Sequence, residues 1–576
     1  NSPALVLLRL GDDNALLMNA RSVARGKTAR HLVDLGYEVA VIQGGIPQLS
    51  ATSLTRLSAD IDNHARRVGG ARLLSKLLSD IASRYDPRTD RYLLLREGKT
   101  VVTEPELQKP WGYIFQLAVR HFHEQTKDGS EAAYAQLLRL VTLAVALLDV
   151  QQYGSIENMY LRAGNIVAFL RNSVVYDSLF TLPQAAFRHI EIMYHGLITQ
   201  TKFDSIVSQG MPMTAIVEIS DAFLRLSNKT SSRNFTATEL AQKTKRSRAN
   251  VINILDRVFA HPMAGANSAL SFPPRSTQVD SGFRPLLKLD AETYVCPPTQ
   301  ISGPAALEAL LAVVRQEHKN ADGEIGTLVE DVIRSQFARR GVSFKCGDYD
   351  ASGDDGKMVH GECDIVVETA SKIIFFEVKK KPLTRAARSG DDISILGDMA
   401  KGLLSSQLQA LGHEELLRKH SKLTLLRNGV ETELAQNGRE IFRVSVVFLD
   451  FGSIQDRQTF QQFMKISCFA KFDAVDRGRQ SELDKLQKGF IELKEIGTRL
   501  GELTKTFPFE NSYFLSIPQL LLLLEKSTGA DSLVDELLRT RRMITPLRDF
   551  YGEYVFAVDL LGAKRPKDVA APSRAT

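Results

Sequence analysis

The chain has 576 residues, of which 44% are hydrophobic and 24% are charged. These shares are typical of soluble globular proteins and exclude a globally disordered chain, and the length suggests three or four domains of about 150 residues each. The formal net charge of +6 is too small to indicate a nucleic-acid partner. The longest apolar run near the end of the chain is far shorter than a membrane helix of about 20 residues. Four widely separated cysteines without a C-x-x-C spacing favour reduced thiols and no zinc site. We therefore predict a cytoplasmic protein that does not enter a membrane.

Residues 1–110 are predicted to form an α/β region, and residues 111–230 a helical region with long apolar-periodic stretches. In the first region, a strand LVLLRL is followed by a helix over 20–35 and by a strand EVAVI. The G-K-T at 26–28 looks like the end of a phosphate-binding loop, but Arg21 stands where the first glycine of G-x-x-x-x-G-K-T belongs. We therefore predict no nucleotide hydrolysis here, so any motor must be a separate ATPase.

Residues 231–265 contain a helix-turn-helix pattern, FTATELAQKTKRSRANVINILDRV. Thr236 or Thr238 can cap the first helix and Ser247 the second. The buried side of the second helix is predicted to be Val251, Ile254 and Leu255. The segment resembles the winged-helix and helix-turn-helix DNA readers, whose second helix enters the major groove. The resemblance implies a DNA-facing set of Lys243, Lys245, Arg246, Arg248 and Asn250.

The alternative for this segment is two short packed helices joined by a basic turn, without a nucleic-acid role. Residues 266–318 are rich in Pro, Ser and Gly and are predicted to be a connector with short strands. Pro273, Pro274 and Pro285 argue against a wing after the second helix, because proline cannot donate to a strand ladder.

The segment from Val359 to Lys381, VHGECDIVVETASKIIFFEVKKK, is predicted to be a β-hairpin, because two runs rich in β-branched and aromatic residues flank a short loop. Continuing the antiparallel ladder from a two-residue loop at 370–371 places Asp364 opposite Glu377. Alternation along the strand then puts Lys379 on the face of Glu377. Facing carboxylates repel unless a cation lies between them, so the pattern predicts a Mg²⁺ or Mn²⁺ site. The alternative is a solvated hairpin face without a metal.

An aspartate followed, after twelve residues, by Glu-Val-Lys resembles the motif of the PD-(D/E)XK, or restriction-endonuclease-like, nucleases, with Cys363 in place of the usual proline. The resemblance covers roughly 323–452. It implies that Asp364 and Glu377 bind the metal, and that Lys379 positions the attacking water or stabilises the transition state.

Two flanking helices supply further candidates. The upstream helix, GEIGTLVEDVIRSQFARRG, carries Glu330 at the border of its apolar face, four residues after Gly326. In the nuclease family a helical glutamate often has this spacing and completes the metal shell; Asp331 and Glu324 are the alternatives. The downstream helix carries Gln407 within its apolar face. In many of these nucleases a glutamine on that helix reaches the site, and an amide satisfied within the core is the alternative.

These helices, the hairpin and a following strand, IFRVSVVFLDFG, predict an α/β/α core with a mixed sheet over 319–475. A helical region is predicted over 476–576, so the fold class is α/β (α+β) and multidomain. Beyond the hairpin, a cationic cluster is predicted to contact phosphates, with a solvated strand end as the alternative. The cluster consists of Lys380, Lys381, Arg385 and Arg388.

The sequence thus predicts a Mg²⁺-dependent endonuclease that acts on DNA, and the usual role of the resembling family suggests restriction of foreign DNA. One alternative is a DNA-binding regulator or scaffold that keeps an inactive nuclease-like core. Another is an RNA-directed nuclease, such as a toxin or a defence effector. The predicted partners are DNA or RNA, with a second copy of the chain or a separate ATPase as further alternatives.

Overall fold

The computed structural model describes residues 21–42, 46–96, 106–151, 161–353, 356–541, 543 and 545–562. The predicted strand LVLLRL, at 5–10, lies outside these residues. The fold is mixed α/β, as predicted, and it contains a mixed sheet of seven strands. Within the described ranges, no helix is both long and apolar enough to cross a membrane.

The described residues before 230 are mainly helical. Helices lie at 21–34, Ala51–Val68, Gly70–Ile81, Trp111–Arg120, Glu131–Ala146, Ile166–Phe180, Phe187–Leu197 and Met213–Leu226. Short antiparallel pairs join Val39–Ile42 to Ile46–Leu49, Tyr85–Asp86 to Arg91–Tyr92, and Val207–Ser208 to Met211–Pro212. The G-K-T at 26–28 lies inside the first helix, not in a loop. A β-carbon on Gly70 would lie 2.1 Å from the carbonyl oxygen of Ala118, so glycine is what allows two of these helices to approach.

The segment predicted as a helix-turn-helix contains two short helices joined by a tight turn. Its helices are Ala237–Thr244 and Arg248–Ile254, the second continuing as a π-helical turn, Leu255–Phe259. The caps are confirmed: Thr236 accepts a hydrogen bond from the backbone N–H of Glu239 at 3.1 Å, and Ser247 accepts one from that of Asn250 at 3.3 Å. The three apolar residues predicted to face inward from the second helix are fully buried.

The prediction that no wing follows is wrong. Strands Leu286–Lys288 and Thr293–Cys296 form an antiparallel hairpin, and the second strand pairs with Arg233–Thr236 in front of the first helix. A short strand, Ala260–His261, completes this four-stranded sheet. The prolines at 273, 274 and 285 fall in the insertion that separates the second helix from the hairpin, and not within a strand.

The predicted connector also ends earlier than expected. Thr299–Glu317 is a helix of 19 residues, with Pro304 inside it. Pro304 is the sixth residue of this helix, so it removes the N–H that would bond to the carbonyl of Gln300. That carbonyl instead accepts a hydrogen bond from the backbone N–H of Ala185 at 2.9 Å. The many alanines and leucines that follow Pro304 favour the helix over the loop that the proline and glycine suggested.

The seven-stranded sheet contains the predicted hairpin. Its strands are β1 (Lys345–Ser352), β2 (Met358–Glu368), β3 (Lys372–Lys379), β4 (Lys422–Arg427), β5 (Val430–Ala435), β6 (Glu440–Val447) and β7 (Ser512–Ser516). The order across the sheet is β5-β4-β1-β2-β3-β6-β7, in which β6 runs parallel to β3 and to β7 and the other neighbours are antiparallel. The β2–β3 register is the predicted one, running from Glu368 opposite Ile373 to Ile365 opposite Phe376. The ladder ends there, one step short of the predicted pairing of Asp364 with Glu377.

Helices cover both faces of this sheet. On one face lies α1 (Ala321–Arg339), whose Phe337 ring is 5.2 Å from that of Phe376 on β3. On the other face lie α2 (Asp392–Met399) and α3 (Ser405–His420), joined by a π-helical segment at 400–404. The side chains of Phe375 and Ala410 belong to the buried cluster between β3 and α3.

The last part of the chain adds to the sheet as well as covering it. The sheet was predicted to lie within 319–475, but β7 comes from 512–516, and all five of its residues are buried. Helices here are Arg457–Ser467, Gln480–Arg499, Ile517–Glu525, Ala530–Leu538 and Phe550–Gly562. This region also holds a buried charge network: Arg443 on β6 forms ion pairs with Glu414 at 2.8 Å and with Glu502 at 3.1 Å.

Candidate metal centre

Three carboxylates meet beside the start of the β2–β3 pairing. One carboxylate oxygen each of Glu330, Glu362 and Asp364 lies within 4.8 Å of the other two. Glu330 comes from α1, whereas Glu362 and Asp364 come from β2. Glu362 is exposed, Glu330 is intermediate and Asp364 is buried, so the cluster lies at the rim of the sheet and is open to solvent on one side.

A β-bulge in β2 places Asp364 in this cluster. Between β1 and β2 the register changes from Lys345 opposite Val366 to Gly347 opposite Cys363, so β2 carries one extra residue there. Cys363 and Val366 therefore both point into the buried cluster beneath α3, although they are three positions apart. Glu362 and Asp364 flank Cys363 and lie with Glu330 of α1.

Burial and charge repulsion raise the pKa of Asp364. Burial, reinforced by the charge of Glu377, raises the pKa of Asp364 to about 7, against opposing contributions from the Val378 N–H and from Lys379. That N–H donates to Asp364 Oδ2 at 2.7 Å. Burial also raises the pKa of Glu330, and the charge of Glu362 adds to this increase. A divalent cation would relieve this repulsion, because hard cations prefer carboxylate oxygens.

Two cationic side chains border the cluster. Lys379, at the end of β3, lowers the pKa of both Asp364 and Glu330 through its charge. Arg334, one turn after Glu330 on α1, donates to Glu330 Oε2 at 2.9 Å and to the backbone carbonyl of Asp364 at 3.3 Å. Arg334 therefore ties α1 to β2 and fixes the distance between the carboxylates that each element contributes.

Glu377 is not part of the carboxylate cluster, contrary to its predicted role as a metal ligand. It points to the opposite face of the sheet, where its Oε1 lies 3.1 Å from Nε2 of His413 on α3. Nδ1 of His413 is 2.7 Å from the hydroxyl of Tyr349. Burial acts to lower the pKa of His413, but Cys363 and Glu377 raise it well above its usual value. The contact with Glu377 therefore favours the protonated form of the His413 imidazole.

The reason for this difference is local. Regular alternation would have kept Asp364 and Glu377 on one face, but the extra residue in β2 turns Asp364 toward α1. Glu377 follows the unbroken alternation of β3 and shares the face of Phe375, whose ring centroid is 5.4 Å from that of His413.

Gln407 also lies apart from the carboxylates. It is fully buried on α3, and its side-chain amide donates to Ser445 Oγ at 2.9 Å and to the carbonyl oxygen of Tyr513 at 3.3 Å. Ser445 is opposite Glu377 in the parallel pairing of β3 and β6. Gln407 thus connects α3 to β6 and β7, which corresponds to the core alternative considered from the sequence.

The cations after β3 separate into two groups. Lys380 donates to the backbone carbonyl of Asp322 beside the start of α1, and Lys381 pairs with Asp398 at 3.0 Å. Arg385 and Arg388, in a short helix at 385–388, line a cavity on the side of the N-terminal region. The four cations therefore do not form one continuous basic strip next to the carboxylates.

The predicted DNA-facing residues of the helix-turn-helix lie close together around its turn. Lys243, Lys245 and Arg248 are exposed, and Lys245 has a left-handed backbone, with a φ of 52°, where the first helix ends. Arg246 forms an ion pair with Glu218 at 2.7 Å, and Arg248 forms one with Glu292 in the turn of the hairpin. Asn250 is partly exposed at the start of the second helix.

Three residues in or around the site were not predicted from the sequence. Glu362 could have been found, because residues two apart on a strand share a face and Glu362 precedes Asp364 by two. Arg334 could have been found from its spacing of four residues after Glu330 on one helix. His413 had no such signal, because its partners lie on β1 and β3 and only the tertiary fold brings them together.

No protein-family model, no curated protein and no solved structure matches the chain.

Proposed function

We propose that this protein is a divalent-cation-dependent nuclease that hydrolyses phosphodiester bonds of DNA. The observation that carries the proposal is the cluster of Glu330, Glu362 and Asp364 beside Lys379. Three convergent carboxylates next to an ammonium group suit Mg²⁺ or Mn²⁺ and a phosphate group together. This cluster differs from the set expected from the motif, because Glu362 takes the position assigned to Glu377.

The order of the elements supports a restriction-endonuclease-like core. A helix, three antiparallel strands, a helix and a parallel strand follow one another as α1, β1, β2, β3, α3 and β6, with the β4–β5 hairpin inserted before β6. The carboxylates come from α1 and β2, and Lys379 comes from the end of β3. The sequence predicted a helix, a two-stranded hairpin, a helix and a strand, to which β1 and the β4–β5 hairpin are additions. The arrangement supports the proposal because it brings the helical glutamate to the sheet.

Each side chain then has a role that its environment allows. Glu330, Glu362 and Asp364 would hold the cation, which supplies an activated water and neutralises charge on the scissile phosphate. Lys379 orients that water or stabilises the charge that develops on the phosphate oxygens. Arg334 positions Glu330 through the hydrogen bond at 2.9 Å. Glu377 and His413 support β3 from the opposite face.

The helix-turn-helix supports DNA as the substrate. Its two capped helices and following hairpin have the layout of winged-helix DNA readers, to which the segment was compared on sequence alone. The exposed cations at its turn, Lys243, Lys245 and Arg248, suit contacts with phosphates. Asn250, at the start of the second helix, is in position to contact a base edge.

A cleavage assay tests the proposal. The full chain is incubated with plasmid DNA, linear DNA and RNA, each with Mg²⁺, with Mn²⁺ or with EDTA. We expect cleavage of DNA that requires the cation and that falls by about 100-fold or more in Asp364→Asn and in Lys379→Met. Asp331→Asn, an exposed acid on α1, is the matched control and should cleave normally. Undiminished cleavage by Asp364→Asn would refute the assignment, and cleavage of RNA alone would change the substrate.

The second candidate is a DNA-binding regulator or scaffold with an inactive nuclease-like core. The observation that favours it is the ion pair of Glu377 with His413, which leaves the glutamate of the motif away from the other carboxylates. This candidate predicts cation-independent binding to a defined DNA duplex in a mobility-shift assay, with no cleavage of any substrate. In that case Lys243→Gln should weaken binding, whereas Asp364→Asn should not.

A further inference from the structure

A cavity of about 460 Å³ lies away from the carboxylate cluster. Its wall is formed by four parts of the chain that are distant in sequence: residues 91–96, 177–185, 274–283 and 382–388, with further residues from 449–453 and 547–551. Sites for small molecules are typically clefts of about 300–1,000 Å³ between such units. The size and the position of this cavity therefore suit a small molecule.

The wall of the cavity is rich in guanidinium groups. It carries seven arginines and four carboxylates, so positive charge is in excess. Four of these arginines are already paired: Arg91 with Asp450 at 3.1 Å, Arg96 with Asp177 at 3.2 Å, Arg385 with Asp280 at 2.9 Å and Arg315 with Asp322 at 3.3 Å. The remaining excess suits an anionic ligand, since guanidinium groups bind phosphate oxygens with two parallel hydrogen bonds.

Arg388 is the clearest example of a charge without a partner. Among the residues that the structure describes, its guanidinium makes no hydrogen bond and has no carboxylate oxygen within 4.0 Å. Burial lowers the pKa of this guanidinium, against the attraction of more distant acids. Arg388 is only partly buried, so an anionic group that enters the cavity can reach its guanidinium.

Glu308 lies on the same wall and is also incompletely bonded. It is 9% exposed, its Oε1 has no hydrogen-bond partner within the described part of the chain, and its closest cation is Arg315 at 3.8 Å. The cavity therefore presents a guanidinium and a carboxyl group that attract each other from a distance but do not form an ion pair. A ligand that carries both an anionic group and a hydroxyl or amino group could bind the two together.

We propose that this cavity binds a small phosphorylated metabolite, with the phosphate held by Arg388 and a polar group of the ligand held by Glu308. Nucleotides and other phosphate esters share this chemistry. The site is separate from the carboxylate cluster and does not depend on the nuclease proposal. It also gives Arg388 a role other than the DNA contact expected from the sequence.

Titration calorimetry of the full chain tests the proposal. The probes are ATP, AMP, glucose 6-phosphate and inorganic pyrophosphate, all in EDTA, so that no cation can bridge them to Glu330, Glu362 or Asp364. We expect saturable binding of at least one probe, and at least tenfold weaker binding in Arg388→Gln. A preference for ATP or AMP would identify a nucleotide, and a preference for glucose 6-phosphate or pyrophosphate another phosphate compound. Arg339→Gln, an exposed arginine at the end of α1, is the matched control and should bind as the wild type does.

A second pair of variants separates binding from folding. Arg388→Lys keeps the charge but loses the two parallel hydrogen bonds, so affinity should fall less than in Arg388→Gln, with an unchanged thermal unfolding temperature. Glu308→Gln should shift the preference among the probes. The proposal is overturned if no probe binds, or if folded Arg388→Gln and Arg388→Lys bind as tightly as the wild type.

Discussion

Replacing Asp364 with asparagine should stabilise the cation-free protein at alkaline pH. At about 1.4 kcal/mol per pH unit, the rise of the Asp364 pKa from 3.8 to about 7 corresponds to a penalty of about 4 kcal/mol for the ionised carboxylate. Asparagine removes the charge and can still accept the hydrogen bond from the N–H of Val378, which Asp364 accepts at 2.7 Å. We therefore expect Asp364→Asn to gain about 3 kcal/mol at pH 8 without divalent cations.

The sign of the pH dependence follows from the direction of the shift. A carboxyl whose pKa is higher in the folded state than in the unfolded state favours folding while it is protonated. Its contribution to stability is complete below about pH 4 and is lost as the pH rises toward 7. The advantage of Asp364→Asn should accordingly be small at pH 4, should grow between pH 4 and pH 7, and should be largest above pH 7. Saturating Mg²⁺ should reverse the difference, because it binds only the wild-type carboxylate cluster.

Hydrogen exchange is the appropriate assay, because unfolding of a chain of this size is not expected to be two-state. The amides of β2 and β3 report the local opening free energy, and about 3 kcal/mol corresponds to exchange that is about 100-fold slower. Each variant is compared with the wild type at the same pH. Asp331→Asn, whose side chain is 56% exposed, should change protection by less than about 0.5 kcal/mol. Equal or weaker protection of Asp364→Asn at pH 8 in EDTA would refute the reasoning.

Other predictions concern packing, buried charge and DNA. Gly70→Ala should destabilise the N-terminal region by about 3 kcal/mol or more, because the new β-carbon would lie 2.1 Å from a carbonyl oxygen. Gly26→Ala should instead stabilise its helix by about 0.5–1 kcal/mol, because its new β-carbon has no atom within 4 Å. Thermal unfolding of the two variants measures this difference. Arg443→Met should lower the unfolding temperature through a loss of about 3 kcal/mol, because Glu414 and Glu502 lose the cation that they share and keep only Arg418 and Lys505. An unchanged temperature would mean that Arg418 and Lys505 compensate the two glutamates without Arg443. In a plot of log K for DNA binding against log salt concentration, Lys243→Gln and Lys245→Gln should each make the slope shallower by about 1. Unaltered slopes would mean that the DNA does not contact these two lysines.

Local patterns predicted much of the hairpin and the helix-turn-helix. The β2–β3 register follows from a short loop and from the run of apolar residues, and the tertiary fold leaves it unchanged. The caps at Thr236 and Ser247 follow from the preference of hydroxyl side chains for unpaired N–H groups at helix starts. Such features depend on neighbours within a few residues, so the sequence alone was sufficient for them.

The features that escaped prediction depend on distant parts of the chain. The bulge in β2 arises in its pairing with β1, and the residues of β2 alone do not predict it. The partner of Glu377 is a histidine 36 residues further along the chain. The hairpin at 286–296 was not predicted, because it follows a long insertion whose prolines argued against strands in the whole stretch. In each case a contact between segments far apart in sequence determined the structure.

The position of β7 has a consequence for how the protein is made. β3, β6 and β7 are adjacent and parallel, yet β7 begins at Ser512, long after β6 ends at Val447. During synthesis, one edge of β6 therefore stays unpaired until the ribosome has produced β7. Such delayed, long-range pairing is slow and leaves intermediates open to association with other chains. Chaperone dependence during expression, and inclusion bodies from any gene that stops before Ser512, are the expected signs.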